Sequence, residues 1–221
     1  MISIIQAAGW PIWPLIVCSI VGLALIGERL WALRVEHITP AGLPERVIKA
    51  WVSGGAVPAL EACDNSVMGR IFASGIAAGA DEQAMRYATL QTGRVQSALL
   101  NKHLGAIATI ASVAPFLGLL GTVIGMIDMF NAQAVGVGGQ ADPSAMAAGI
   151  SVALYNTAFG LMVAVPALLA WRFLRAKVDF FVMQLEMGTE QLLLVCASQV
   201  RTNLGKNLGT TRQTAQAATN H

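Results

Sequence analysis

Residues 104–130 read LGAIATIASVAPFLGLLGTVIGMIDMF, and residues 145–171 read AMAAGISVALYNTAFGLMVAVPALLAW. The two stretches contain no Lys, Arg or Glu, and Asp128 is the one acid in the pair. An α-helix rises about 1.5 Å per residue, so about 20 apolar residues cross a hydrocarbon core of about 30 Å. Each stretch exceeds that length, with room for tilt. Between them, residues 132–144 (AQAVGVGGQADPS) are Gly-rich and end in Asp142-Pro143, which reads as a short loop. The pair therefore predicts two antiparallel membrane-spanning helices.

The chain around them agrees. Residues 1–27 carry no charged side chain, and an apolar run from Leu15 to Ile26 follows Trp10, Pro11, Trp13 and Pro14. A first span is expected near 12–31, with the tryptophans at one interface. Glu28, Arg29 and Arg34 mark its other end. No basic segment precedes the apolar run, which argues against a cleaved signal peptide. Over the 221 residues, 12% are charged, against about 25% in a typical soluble domain, and the mean hydropathy is +0.61. The net charge of +2 gives no nucleic-acid surface. Cys18, Cys63 and Cys196 are far apart and form neither a disulfide framework nor a zinc motif.

Charges return over 36–103, with apolar residues at helical spacing (Met85, Ala88, Val95, Leu99). Pro44 and the Asp64-Asn65-Ser66 cluster supply breaks. No turn signal stands between Asp81 and His103, so that helix is read as able to run straight into the second span. Arg172, Arg175 and Lys177 close the third. Lys and Arg thus lie after span one, before span two and after span three, while 132–144 has none. The positive-inside rule puts the N-terminus and that loop outside.

The expected fold is all-α. An outer N-terminus and first span occupy 1–35, and a cytoplasmic helical domain occupies 36–103. Spans at 104–131 and 145–172 flank the outer loop 132–144. A cytoplasmic helix covers 173–200, and a Thr/Gln/Asn-rich tail over 201–221 is expected to be disordered. The long helices are expected to continue into a cytoplasmic bundle.

Polar groups inside a span are costly unless they find partners, so they mark bundle interiors or water-filled paths. Span two carries Ser112, Thr122 and Asp128; span three carries Ser151, Tyr155, Asn156 and Thr157. Counted from the loop boundaries, Thr122 and Thr157 lie roughly 14 and 20 Å from the outer face, both near the midplane. They either line one ion pathway or simply bond to their own helix carbonyls. Asp128, near the outer end, either reaches the interface or serves as an ion-access group. Pro115 and Pro166 leave carbonyls without helix donors. Gly118, Gly121, Gly125 and Gly160 read as close helix packing and as contacts for a ring of subunits. His37, His103 and His221 form no metal or catalytic constellation, and H-E-x-x-H and G-x-S-x-G are both absent. An enzyme is not expected, nor is a cofactor or a metal.

The run Pro115-Phe-Leu-Gly118-Leu-Leu-Gly121-Thr122-Val-Ile-Gly125-Met resembles the second-span signature of the MotA/TolQ/ExbB proton-channel family. Gly149-Ile150-Ser151, Thr157-Ala-Phe-Gly160-Leu and Ala164-Val165-Pro166-Ala167 resemble its third span. Glu28-Arg29 after span one also fits. The likeness covers the topology of the whole chain and is specific over about 105–180. Three spans place it with the ExbB/TolQ branch, since MotA-type subunits have four. The resemblance implies a homo-pentamer around two copies of a single-span ExbD/TolR-type partner, whose aspartate takes up the ion. It implies a bacterial inner-membrane motor driven by the proton motive force. Its output is either TonB-type outer-membrane import or TolQ-type envelope work. The residues matching Thr122 and Thr157 would line the inner surface. Val152 stands where many relatives carry a glutamate, five residues before the threonine. Asn156 adds an amide suited either to packing or to sodium, so H+ is the first expectation and Na+ the second. A scaffold subunit, with polar groups used for packing alone, is the reading from another class.

Overall fold

The computed structural model describes residues 10–79, 81–134 and 143–219. The expected loop at 132–144 lies largely outside the described residues, as do 1–9 of the N-terminus. Among the described residues there are eight helices and no strand. They are α1 (Ile12–Ala32), α2 (Val35–Ile38), α3 (Leu43–Gly54), α4 (Ala56–Ala62), α5 (Val67–Ala77), α6 (Glu82–Asn101), α7 (Leu104–Ala134) and α8 (Pro143–Thr219).

Three stretches within α1, α6–α7 and α8 are long and apolar enough to cross a membrane, and only 17–28% of each apolar window is buried within the chain. So much bare hydrocarbon is incompatible with water as the solvent. The chain is a membrane protein. The 21 residues of α1 give about 31 Å of helix, the thickness of one hydrocarbon core.

The contacts divide the chain into two compact units. The first holds α1, α7 and α8 as far as Ala176. Leu15 of α1, Ala114 of α7 and Ala164 of α8 are buried together. One turn along, Ile110, Ala111 and Ala167 form a second cluster, covered by Cys18 and Leu25. Gly22 of α1 packs on Ile110: a Cβ there would make an ordinary contact, 3.5 Å from Ile110 Cγ2. Alanines and a glycine at the crossings are the small residues that lipid-embedded helices need for van der Waals contact.

The second unit holds α2 to α6 and α8 from Lys177 onward. Leu43, Val47, Phe72, Ile76, Phe181 and Leu192 are buried in it. Ser66 starts α5 as an N-cap, its hydroxyl accepting from the Gly69 amide at 3.0 Å. Gly188 of α8 gives room to Met68 and Phe72. Thr39 donates to Gln184 at 3.1 Å, and Arg86 pairs with Glu190 at 3.0 Å. Burial pushes the Cys196 thiol up to about 11. Cys63 is raised by burial and then by the Asp64 carboxylate.

One feature differs from the sequence reading. The helix of residues 82–101 does not run into the second span: Lys102 and His103 form a turn, and His103 has φ +65°. Histidine is one of the few side chains enriched in that left-handed region. The helix α8 is continuous from the third span to Thr219.

Candidate ion pathway and the seam that builds it

The polar residues of α7 and α8 are positioned by a row of glycines. A Cβ on Gly118 would lie 2.9 Å from the Asn156 carbonyl oxygen and 3.2 Å from the Cα atoms of Thr157 and Gly160. One on Gly160 would lie 2.8 Å from the Ala114 carbonyl oxygen. Gly121 faces the Asn156 side chain, Gly125 faces Ala153, and Gly149 faces Met129. Partners that fall on one helix as they rise on the other define an antiparallel seam of backbone against backbone. These glycines pack α7 onto α8 of the same chain.

The seam sets the level of the threonines. Gly121 touches Asn156, so the next residue on each helix, Thr122 and Thr157, lies within about 3 Å of the other along the axes. Both side chains are half-buried. Thr122 Oγ1 donates to the Leu119 carbonyl at 2.6 Å. That bond satisfies the proton but leaves the oxygen lone pairs free to accept from water or to face a cation. Ser151 Oγ likewise donates to Ala147 at 2.8 Å, and Ser112 to Ala108 at 2.9 Å. Ser151 and Tyr155, four residues apart, share an exposed face of α8.

Asn156 is placed differently, at 1% exposure. Together with Asp128 and Val152 it lines a cavity of about 240 Å³, which none of the candidate hydroxyl residues lines. The candidate pathway residues thus fall in three places: Thr122 and Thr157 share a level at the seam, Ser151 and Tyr155 share an exposed face of α8, and Asn156 lines the cavity together with Asp128. Pro115 and Pro166 lie inside helices that continue past them.

Sequence reasoning missed two features. Trp10, read as an interface residue, also lines the cavity, together with Pro11. His103, read as isolated, has Nδ1 at 3.2 Å from Glu28 Oε2 and 3.4 Å from the Arg29 guanidinium. Arg29 is only 5% exposed. The positive φ of His103 brings its ring to the end of α1, and no local sequence signal announces that. Among the described residues, no cluster of His, Cys, Asp or Glu could hold a metal.

Residues 64–187, which contain the whole seam, match the MotA/TolQ/ExbB proton channel family. The biopolymer transport protein exbB1 of Vibrio cholerae is 31% identical over 190 residues, 82% of each chain. A putative ExbB-like biopolymer transport protein of Synechocystis is 32% identical over 74% of this chain and 80% of its own. The ExbB biopolymer transport protein of Helicobacter pylori is 44% identical over 80 residues, 36% of this chain and 54% of its own. The fold is that of an all-helical membrane protein. The chain belongs to the MotA/TolQ/ExbB proton channel family.

Proposed function

We propose that this chain is the channel subunit of an inner-membrane motor. Five copies surround two copies of a single-span ExbD/TolR-type partner, and inward ion flow drives work through that partner. The N-terminus faces the periplasm and the C-terminus the cytoplasm, where the second compact unit lies, as the distribution of Lys and Arg supports. The reading rests on one observation: the α7–α8 seam holds Thr122 and Thr157 at one level. Two hydroxyl oxygens there offer acceptor positions to an ion moving past. The described spans contribute no carboxylate at that level, so the titrating group comes from the partner's span. One charge crossing 100 mV releases about 2.3 kcal/mol, enough to bias a mechanical step.

The output favoured is TonB-type outer-membrane import, supported by the ExbB names of the relatives; TolQ-type envelope work is the alternative. Asn156, whose amide oxygen is a hard ligand of the kind sodium prefers, supports a sodium-driven variant as the second reading.

The test is Thr157→Val with the partner co-expressed. Ion-driven work should fall at least about tenfold at unchanged protein level. Unchanged work would reject the pathway role, leaving the scaffold reading. Repeating the assay with sodium omitted, and with the proton gradient collapsed, assigns the ion.

A further inference from the structure

The cavity beside the seam is a mostly apolar groove, open along one side. Gly121 and Gly125 of α7 leave it bare of side chains where that helix meets Asn156 and Ala153 of α8. Ile124 and Val152 add hydrocarbon to the lining, and Trp10 belongs to it as well. Asp128 supplies its one charge and is exposed. Asn156, at the opposite end, already has an interaction of its own within the chain, so it asks nothing of an occupant.

The groove runs along the helices. From Gly121 to Asp128 the rise is about 10 Å, most of one leaflet's share of a hydrocarbon core about 30 Å thick. The charged end lies toward Ala134, the loop end of α7, and the apolar end lies toward the midplane. That order repeats the profile of a lipid leaflet, with a polar group at headgroup depth and hydrocarbon beneath it. A carboxylate next to hydrocarbon is costly without a partner, and the partner it favours is a cation. No lysine or arginine occurs in residues 1–28 or 103–171. A second copy of the chain, lying in register, therefore brings no side-chain cation to Asp128. A lipid headgroup with a primary amine does.

We propose that this groove is a phospholipid site. One acyl chain lies past Val152 and Gly125 toward Asn156. The amine of a phosphatidylethanolamine headgroup donates to the Asp128 carboxylate in a charge-assisted hydrogen bond. The apolar lining takes the hydrocarbon, the open side admits the lipid from the bilayer, and the exposed carboxylate selects the headgroup. The site rests on neither the ion pathway nor the identity of the ion.

The test uses the full chain with its partner co-expressed. It is reconstituted in nanodiscs of phosphatidylethanolamine and phosphatidylglycerol in equal parts, then released for native mass spectrometry. Retained phosphatidylethanolamine should exceed phosphatidylglycerol at least about fivefold, the scale of one charge-assisted hydrogen bond. Asp128→Asn should erase that preference. Val152→Phe, which fills the groove, should lower retention of both lipids, whereas Leu154→Phe, on an exposed face of the same helix, should not. Equal retention of the two lipids, or a preference that survives Asp128→Asn, overturns the headgroup assignment. Retention unchanged by Val152→Phe overturns the groove as the site. A phosphatidylethanolamine with a photoreactive acyl chain reads the same site with no substitution at all. Its adducts should concentrate on residues 121–129 and 149–156. Adducts spread evenly over the exposed faces of α1 and α8 overturn the site, and so does a disulfide between copies at Val152→Cys, which would put a neighbour in the groove. None of these readouts depends on ion-driven work, so failure here is distinct from failure of the Thr157→Val experiment.

Discussion

Gly160 and Ala114 meet backbone to backbone: a Cβ on the glycine would stand 2.8 Å from the alanine carbonyl oxygen. No rotamer relieves such a contact, because neither partner is the end of a flexible side chain. Gly160→Val must therefore push α7 away from α8. Overpacking of this kind costs about 1–3 kcal/mol. A lower melting temperature in detergent and reduced membrane accumulation are expected.

Gly93 in α6 is the counterpart, since a Cβ there meets nothing within 4 Å. Gly93→Ala should stabilise the protein by about 0.5–1 kcal/mol through helix propensity alone. Thermal unfolding of the two variants side by side separates steric from conformational glycines.

Thr122 can be tested without disturbing the seam. Its hydroxyl bonds within its own turn, so Thr122→Val, which keeps the volume, removes a net contribution of only about 1 kcal/mol. Near-normal stability with at least about tenfold loss of ion-driven work is expected, and Thr122→Ser should retain work. If Thr122→Val works normally, the hydroxyl serves the helix alone.

His103 holds a backbone conformation that β-branched side chains avoid. His103→Val is expected to cost about 1–3 kcal/mol, and His103→Gly distinctly less. If both cost the same, the ring contacts with Glu28 and Arg29 matter more than the turn. The ratio of the two melting shifts decides.

Cys196 should resist alkylation. With its pKa raised to about 11 from 9.0, its thiolate near pH 8 falls from about one in ten to about one in a thousand. Labelling with an uncharged maleimide should be at least about a hundredfold slower in the folded chain than after denaturation. The sign for stability follows. Between about pH 9 and 11 the folded chain keeps a proton that the unfolded chain loses, so stability declines over that window. A melting temperature that rises there would contradict the assignment.

The spans were legible because a charge is so costly in lipid that its absence over some 25 residues has one ready explanation. The glycine spacing likewise announced close packing, but not which helix would fill it; that needed the antiparallel partner. The turn at Lys102–His103 was hidden because histidine carries no turn signal, and its stabilising contacts lie some 75 residues away in sequence. The separation of Asn156 from Thr157 was hidden for a geometric reason. Neighbours in sequence stand about 100° apart on a helix, so one amide enters a cavity while the adjacent hydroxyl does not. Depth was readable from counting residues, whereas azimuth required the packing.

The glycine seam also limits how such a channel could gate. Helices locked backbone to backbone over Gly118, Gly121 and Gly160 cannot part or slide without breaking several contacts at once. The wall formed by α7 and α8 is therefore fixed masonry. Opening and closing must be left to side-chain rotamers, to the water column, or to a moving element that turns against it.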